Sequence, residues 1–376
     1  MTSILFLIPT LQAGGAEKVL INLVNNLNSK QYEITVKTLL NRGVFEKQLN
    51  NNVKYESFIQ IENTFIRKII LYIISFLIPA KISHKLIVKK NYDIEIAYLE
   101  GVPTKIIAAS NNKNSRKIAF VHTDLSENYR LTKVYKNVEE CHTSYKKFDN
   151  VVFVSHTALN GFEKFIGTLS NSFVLHNVID EKKILKMSKE FVVAKPTDKV
   201  TFLSIGRLSI EKGYDRLIDA TKRLNNENFN FEIHILGEGD ERKKLESLIA
   251  ERNIENIKLL GFRDNPYPYM AMSDMVISSS RVEGYSTVIV EALILNKAVL
   301  TTNCAGMDEI LDNGKYGMIV DNSAIGLYEG LKLILEKPDI LNSYENLAKE
   351  RSCYFSTDST IRKFEELFKG ELDYEN

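Results

Sequence analysis

The chain has 376 residues, 49 Lys and Arg against 48 Asp and Glu, 44% hydrophobic residues and 7 Pro. That length suits two domains of about 150–200 residues rather than one core, and the composition excludes disorder, collagen-like repeats and a disulfide scaffold. Charge is unevenly placed: residues 1–185 carry 24 Lys and Arg against 16 Asp and Glu, a net +8, while the remainder carries 25 against 32, a net −7.

A basic half suits nucleic acid, anionic lipid or a phosphorylated substrate. No RNA-recognition or helix-turn-helix pattern accompanies it, so nucleic acid is the weakest of the three. Cys141, Cys304 and Cys353 are odd in number and far apart. They have no metal-ligand spacing, and a reduced, cytoplasmic setting is expected. Met1 to Phe6 lacks a basic leader and runs straight into a strand pattern, so no signal peptide is expected there.

In chain order, the first half shows strand patterns at Ile4–Pro9, Glu33–Leu40, Asp93–Leu99, Lys117–His122, Val151–Ser155 and Phe173–His176. After Gly14-Gly15, the apolar Ala16, Val19, Leu20, Leu23, Val24 and Leu27 recur at helical spacing. The run from Ile69 to Ala80 is almost wholly apolar, with Arg67 and Lys68 before it and Lys81, Lys85, Lys89 and Lys90 after. It falls short of the roughly 20 residues a span requires. Two readings stand: a buried helix, or an interfacial helix over residues 67–90 that meets an anionic membrane surface.

Residues 181–199, rich in Lys and Glu and holding Pro196, read as a linker. Beyond it come strand patterns at Val200–Ile205, Phe231–Leu236, Ile257–Leu260, Met275–Ser278, Ala298–Thr302 and Tyr316–Val320. Strands alternating with helices imply parallel sheets covered on both faces. The expected architecture is α/β: two Rossmann-like, doubly wound domains, 1–180 and 200–355, facing each other across a cleft. A last helix within 356–376 is expected to cross back to the first domain.

In such sheets ligands sit beyond the carboxyl ends of the strands, so residues just after strands carry the functional expectations. Gly14 and Gly15 permit close backbone approach ahead of a helix N-terminus. Gly206-Arg207-Leu208 with Glu211-Lys212-Gly213 brackets one post-strand loop with two cations that suit a diphosphate. Ser278 to Thr287 runs into a helix. Glu283 and Glu291, eight apart, read as two helical turns aimed at one cleft, where carboxylates accept paired hydroxyls. Gly284, Tyr285, Ser286 and Thr287 bring N–H groups to that helix start. His122 ends a strand, and Glu100, Ser155 and Asn177 end others, as acceptor-side candidates. Asp93-Ile94-Glu95 reads as part of a strand, and no His, Cys and Asp cluster has metal spacing.

Together Gly14-Gly15-Ala16-Glu17, Gly206-Arg207 with Glu211-Lys212-Gly213, Gly237-Glu238-Gly239, and Glu283 with Glu291 resemble the retaining glycosyltransferase family 4, a GT-B family. The likeness is to bacterial surface-polysaccharide glycosyltransferases. The resemblance implies that the first glycine loop approaches a donor diphosphate held by Arg207 and Lys212. It implies that Glu283 contacts the transferred sugar, Glu291 the ribose, and Arg263 lies in the loop beside the base. His122 is implied near the sugar. Asn296 stands where the family often has Gly.

The expected activity is metal-independent sugar transfer, from a nucleotide sugar with UDP favoured, to a glycan or lipid-diphosphate-linked acceptor. The expected place is the inner face of a membrane. Rival readings are a GT-B-fold nucleotide-sugar epimerase, a non-catalytic sugar-nucleotide sensor, and an NAD(P)-dependent oxidoreductase. Gly237-Glu238-Gly239 favours the last weakly, because Arg242 stands at the third glycine position.

Overall fold

The computed structural model describes residues 1–12, 14–61, 63–124, 134–196 and 198–372; the side chains of Thr64, Arg67 and Lys68 lie outside the described part. The chain divides into two compact units: residues Met1–Val178 with Asp358–Asn376, and residues Ile179–Thr357. Each is built on a wholly parallel sheet.

The first sheet contains β1 (Thr2–Ile8), β2 (Tyr32–Leu40), β3 (Val53–Ile59), β4 (Ile94–Ala97), β5 (Arg116–Val121), β6 (Asn150–Phe153) and β7 (Ser172–Val174). Its order is β3-β2-β1-β4-β5-β6-β7, so the winding reverses between β1 and β4. Residues Ile4 to Ile8 of β1 are all fully buried. Ile4, Phe6 and Ile8 enter one core layer, and Leu5 and Leu7 enter the other. An unbroken apolar run is what a central strand covered on both faces requires.

β3 answers to none of the strand patterns above. It lies at the sheet edge, and its sequence Val-Lys-Tyr-Glu-Ser-Phe-Ile mixes charge with apolar residues. Lys37 and Lys54 both pair with Glu56 at 2.8 Å, which draws the Glu56 carboxyl down to about 2. The C-terminal helix Thr357–Lys369 completes the first core: Phe364 stacks on Phe120, and Phe368 meets Phe6 and Tyr32 edge-on.

The apolar run at 69–80 forms a helix (Thr64–Tyr72), a π-helical turn (Ile73–Leu77) and, after Pro79, a second helix (Ala80–Ile87). Neither sequence reading describes it fully. Ile74 is buried and Ile70, Leu71 and Ile78 pack on the core, whereas Phe65, Ile69, Tyr72, Phe76 and Leu77 are exposed. Among the described residues no helix is long and apolar enough to cross a membrane.

The second sheet contains β8 (Val200–Ile205), β9 (Phe231–Leu236), β10 (Ile257–Gly261), β11 (Met275–Ser278), β12 (Ala298–Thr302) and β13 (Met318–Val320). Its order is β10-β9-β8-β11-β12-β13, and the winding reverses between β8 and β11. The segment read as a linker is not wholly one. It opens with the helix Glu181–Met187, whose Ile184 is buried and which packs within the second unit against the helices Tyr267–Met272 and Thr287–Ile294. Lys182 and Lys186 are exposed on this helix, and its polar composition is why the segment read as a linker.

Candidate active site

In the second unit the functional residues gather where β8 and β11 end, at the reversal of strand order. Gly213 adopts a left-handed conformation (φ 64°), and a Cβ there would stand 2.2 Å from the Ser279 carbonyl oxygen. Only glycine lets these two loops touch. Ser279 Oγ donates to the Lys212 carbonyl at 2.8 Å, and the Arg281 backbone N–H donates to the Glu211 carbonyl at 2.7 Å. Arg281 clamps Asp215 through both its terminal nitrogens, at 2.8 and 2.6 Å, and holds that carboxyl below its ordinary range. Arg216 reaches across to the carbonyls of Ser279 and Asn322 at 2.8 Å each.

This lacing sets the side chains that matter. Lys212 Nζ lies 2.6 Å from Glu283 Oε1, and Ser280 Oγ donates to the same oxygen at 2.6 Å. The pair is partly buried, 27% exposed at Lys212 and 13% at Glu283. It lines a small cavity with Ser204, Tyr214, Ser278, Ser280 and Ser286. Ser280 is the residue sequence reasoning did not single out by itself, although it belongs to the serine run at 278–280. Arg207 is exposed on the adjoining turn. Gly206 is needed for space, since a Cβ there would meet Tyr214 Oη at 2.9 Å and Lys212 Cε at 3.3 Å.

Gly237 supports that turn from below: its Cβ would fall 1.8 Å from the Gly206 carbonyl oxygen. Its role is loop packing, with Leu208 N–H bonded to the Glu238 carbonyl at 3.0 Å. Arg263 is exposed and donates to Tyr269 Oη at 3.2 Å, with its guanidinium over that ring.

The spacing argument for the two glutamates fails. Glu283 precedes the helix, which spans Thr287–Ile294, so only Glu291 is helical. Glu291 is fully buried and does not line the Lys212–Glu283 cavity. Gly284 and Tyr285 lie in the approach loop, where Gly306 packs so closely that its Cβ would stand 2.5 Å from the Gly284 carbonyl oxygen. Ser286 and Thr287 are buried at the helix start, and Ser286 makes no side-chain capping bond. Burial lifts the Tyr285 hydroxyl well above its ordinary range.

In the first unit the candidates also stand at strand ends. Gly14 is the N-cap of the helix Gly15–Asn26, and a Cβ on Gly15 would meet nothing within 4 Å. The fold itself therefore does not require Gly15 to be small. His122 follows β5, its ring between Tyr98 and Phe120 at centroid distances of 4.9 and 6.0 Å. Desolvation drops its imidazole to about 4, against a smaller upward pull from a bond to the Tyr98 backbone. The Nε2 atom is buried and has no partner among the described residues. The nitrogen that meets the Tyr98 backbone is thus Nδ1, and the neutral ring presents a lone pair at Nε2.

Glu100 braces the turn at His122. Its carboxylate accepts from the His122 backbone N–H at 3.1 Å and from Thr123 Oγ1 at 2.5 Å, and burial raises its carboxyl above the ordinary range. Ser155 is fully buried, and its hydroxyl caps the helix His156–Phe165 by accepting from the Ala158 N–H at 3.1 Å. Both were named on the acceptor side, and within the protein these are the hydrogen bonds they make. Asn177 is half-buried beyond β7. Asp93 and Glu95 are turned to different partners. Asp93 accepts from the Ser3 N–H and hydroxyl at 2.8 Å each, and Glu95 pairs with buried His84 at 2.8 Å.

Residues 186–351 match the family model of glycosyl transferases group 1. The matched stretch contains the whole Lys212–Glu283 cluster, and with it Arg207, Arg263 and Glu291.

One relative is the N-acetylgalactosamine-N,N'-diacetylbacillosaminyl-diphospho-undecaprenol 4-alpha-N-acetylgalactosaminyltransferase of Campylobacter jejuni, 36% identical over 185 residues. That alignment covers 48% of this chain and spans about half of the relative's length, 49%. A second C. jejuni relative is the GalNAc-alpha-(1->4)-GalNAc-alpha-(1->3)-diNAcBac-PP-undecaprenol alpha-1,4-N-acetyl-D-galactosaminyltransferase. It is 25% identical, over 93% of this chain and 94% of its own. Among solved structures, Anabaena HepE in complex with UDP and glucose matches with a TM-score of 0.76. The identity is 20%, over 98% of this chain and 100% of the other. The fold is GT-B, as expected from the sequence.

Proposed function

We infer that this protein is a glycosyltransferase that moves a sugar from a nucleoside diphosphate donor, with UDP favoured, to a lipid-diphosphate-linked or glycan acceptor during assembly of a surface polysaccharide. The observation that carries the reading is the Lys212–Glu283–Ser280 cluster at the carboxyl ends of β8 and β11. As the anomeric bond breaks, negative charge collects on the departing diphosphate. Preorganised donors that meet it there lower the barrier. Lys212 supplies an ammonium and exposed Arg207 a planar guanidinium. Glu283 accepts from hydroxyls of the sugar as the phosphate takes up Lys212, and Glu291 serves the ribose. The open space beside Gly15 supports close approach of a phosphate to the first helix. His122 Nε2 accepts a hydroxyl of the donor sugar and holds it in place.

These cations make charge neutralisation without a divalent metal the simplest route. Transfer with retention, by attack on the face the diphosphate leaves, follows the family resemblance. UDP is favoured because the Anabaena relative's structure holds it. A lipid-diphosphate-linked acceptor is supported by the Campylobacter relatives, which carry one in their names, and such an acceptor suits a peripheral position at the inner membrane face.

The test is a panel of UDP- and GDP-sugars with a lipid-linked acceptor extract, with and without excess EDTA, and mass spectrometry of products. A product that requires both a UDP-sugar and an acceptor, and persists in EDTA, is expected. Conversion of the donor without an acceptor would make this an epimerase. Activity abolished by EDTA and restored by Mn²⁺ would overturn the metal-free route.

A further inference from the structure

The rod formed by residues 64–77 is apolar on two sides, but only one of them is covered. Ile74 and the partly buried Ile70 and Leu71 face the first unit's core. On the other side Phe65 (71% exposed), Ile69, Tyr72 (57%), Phe76 and Leu77 (65%) stand in solvent. Phe65, Ile69, Tyr72 and Phe76 fall at the i, i+4, i+7, i+11 positions of one helical stripe. Tyr72 and Phe76 meet each other with ring centroids 5.1 Å apart and planes tilted by 36°. The next helix, Ala80–Ile87, continues the surface. Its buried side carries Ser83, His84 and Ile87, and its outer side alternates Lys81, Ile82, Lys85 and Leu86.

Folding does not explain this arrangement. Soluble surfaces scatter single apolar residues, whereas contiguous large ones mark a binding face. Its charge pattern is one-sided. Between Glu62 and Asp93 the sequence holds six Lys and Arg and no acidic residue. Lys81, Lys85 and Lys89 are exposed, while Lys90 is paired with Glu33 at 3.1 Å.

We propose that this face docks the protein onto an anionic lipid bilayer. The aromatic and aliphatic stripe of 64–77 enters the headgroup–acyl boundary, and Lys81, Lys85 and Lys89 contact anionic headgroups. A rod of 14 residues is roughly 21 Å long at 1.5 Å per residue. Lying flat, it has the length and composition of an interfacial helix and not of a span. A second copy of this chain is the alternative occupant, and charge argues against it. Pairing the face with itself brings lysines against lysines, with no acid within residues 63–92 to meet them. The inference deepens the lipid-linked acceptor reading and rests on it for its purpose, but bilayer binding requires neither donor nor acceptor.

The experiment is flotation of the full chain with phosphatidylcholine vesicles and with vesicles containing phosphatidylglycerol, in the absence of nucleotide sugar. Binding to the anionic vesicles that weakens with salt is expected. Each exposed lysine contributes about fivefold in partitioning, so a Lys81→Gln, Lys85→Gln, Lys89→Gln variant is expected to lose about a hundredfold. A Phe65→Ser, Tyr72→Ser, Phe76→Ser variant is expected to lose binding to both vesicle types. Circular dichroism and UDP binding, unchanged in both variants, keep misfolding and failure of the donor reading separate from failure of this one. Equal recovery of wild type and variants with either vesicle would overturn the proposal. So would a dimer in sedimentation equilibrium that the serine substitutions dissolve.

Discussion

Replacing Lys212 by Met removes the ammonium while keeping much of the stem that lines the cavity. Two effects follow, and they separate. The first is on stability: Glu283 loses a partner at 2.6 Å and keeps only the Ser280 hydroxyl. The pair is 27% and 13% exposed, between a surface pair worth under about 1 kcal/mol and a buried one whose rupture costs about 3–5 kcal/mol. A loss of about 2 kcal/mol is therefore expected, or roughly 4–8 °C in the transition of a unit this size. The second effect is on chemistry, where losing one donor to the developing charge slows turnover by about 10²–10³-fold. The Lys212→Met, Glu283→Gln double variant removes the stranded carboxylate and is expected to regain most of the stability but none of the activity. Thermal melts with donor-saturated turnover measure both. A Lys212→Met enzyme that melts early yet turns over within threefold of wild type would refute the reasoning and leave Lys212 as a brace for Glu283.

Gly15→Ala is expected to fold as well as wild type or better by about 0.5–1 kcal/mol, because the added methyl meets nothing within 4 Å. It is expected to weaken donor binding by about tenfold where a phosphate must reach backbone N–H groups; unchanged donor affinity in calorimetry would remove Gly15 from the site. His122 titrates at about 4 in the folded chain against an ordinary 6.5, so it stays neutral through mild acid. The acid limb of kcat/KM is expected to show no inflection near 6.5 that belongs to His122; one that vanishes in His122→Gln would contradict the buried neutral ring. The ring's contribution to stability is complete above 6.5 and declines as pH falls towards 4, where the unfolded chain takes up a proton the folded one refuses. Urea melts of His122→Gln are expected to depend less on pH across that window.

The sequence carried the fold well because most strands are rich in apolar residues, and β8, β9 and β11 run straight into Gly206, Gly237 and the serines at 278–280. β3 escaped because an edge strand with Lys54 and Glu56 on it lacks that signal. The loop after β8 stood out for a related reason: two cations and two glycines follow a strand directly, and in the structure Lys212 stands against Glu283 there. What single-chain spacing does not convey is contact between loops. The approach of Gly213 to the Ser279 carbonyl, which brings Lys212 to Glu283, joins residues far apart in the chain. The same limit misled the pairing of Glu283 with Glu291, since eight positions imply two turns only if both lie on one helix. Nor did spacing convey the hydrogen bonds that Ser155 and Glu100 make to the Ala158 and His122 N–H groups.

A crystal structure of the full chain soaked with UDP tests the central claim most directly. The account predicts the β-phosphate within hydrogen-bond reach of Lys212 Nζ and the Arg207 guanidinium, with the Lys212–Glu283 contact loosened or shared. A diphosphate bound elsewhere on the second unit, with that contact untouched, would contradict it.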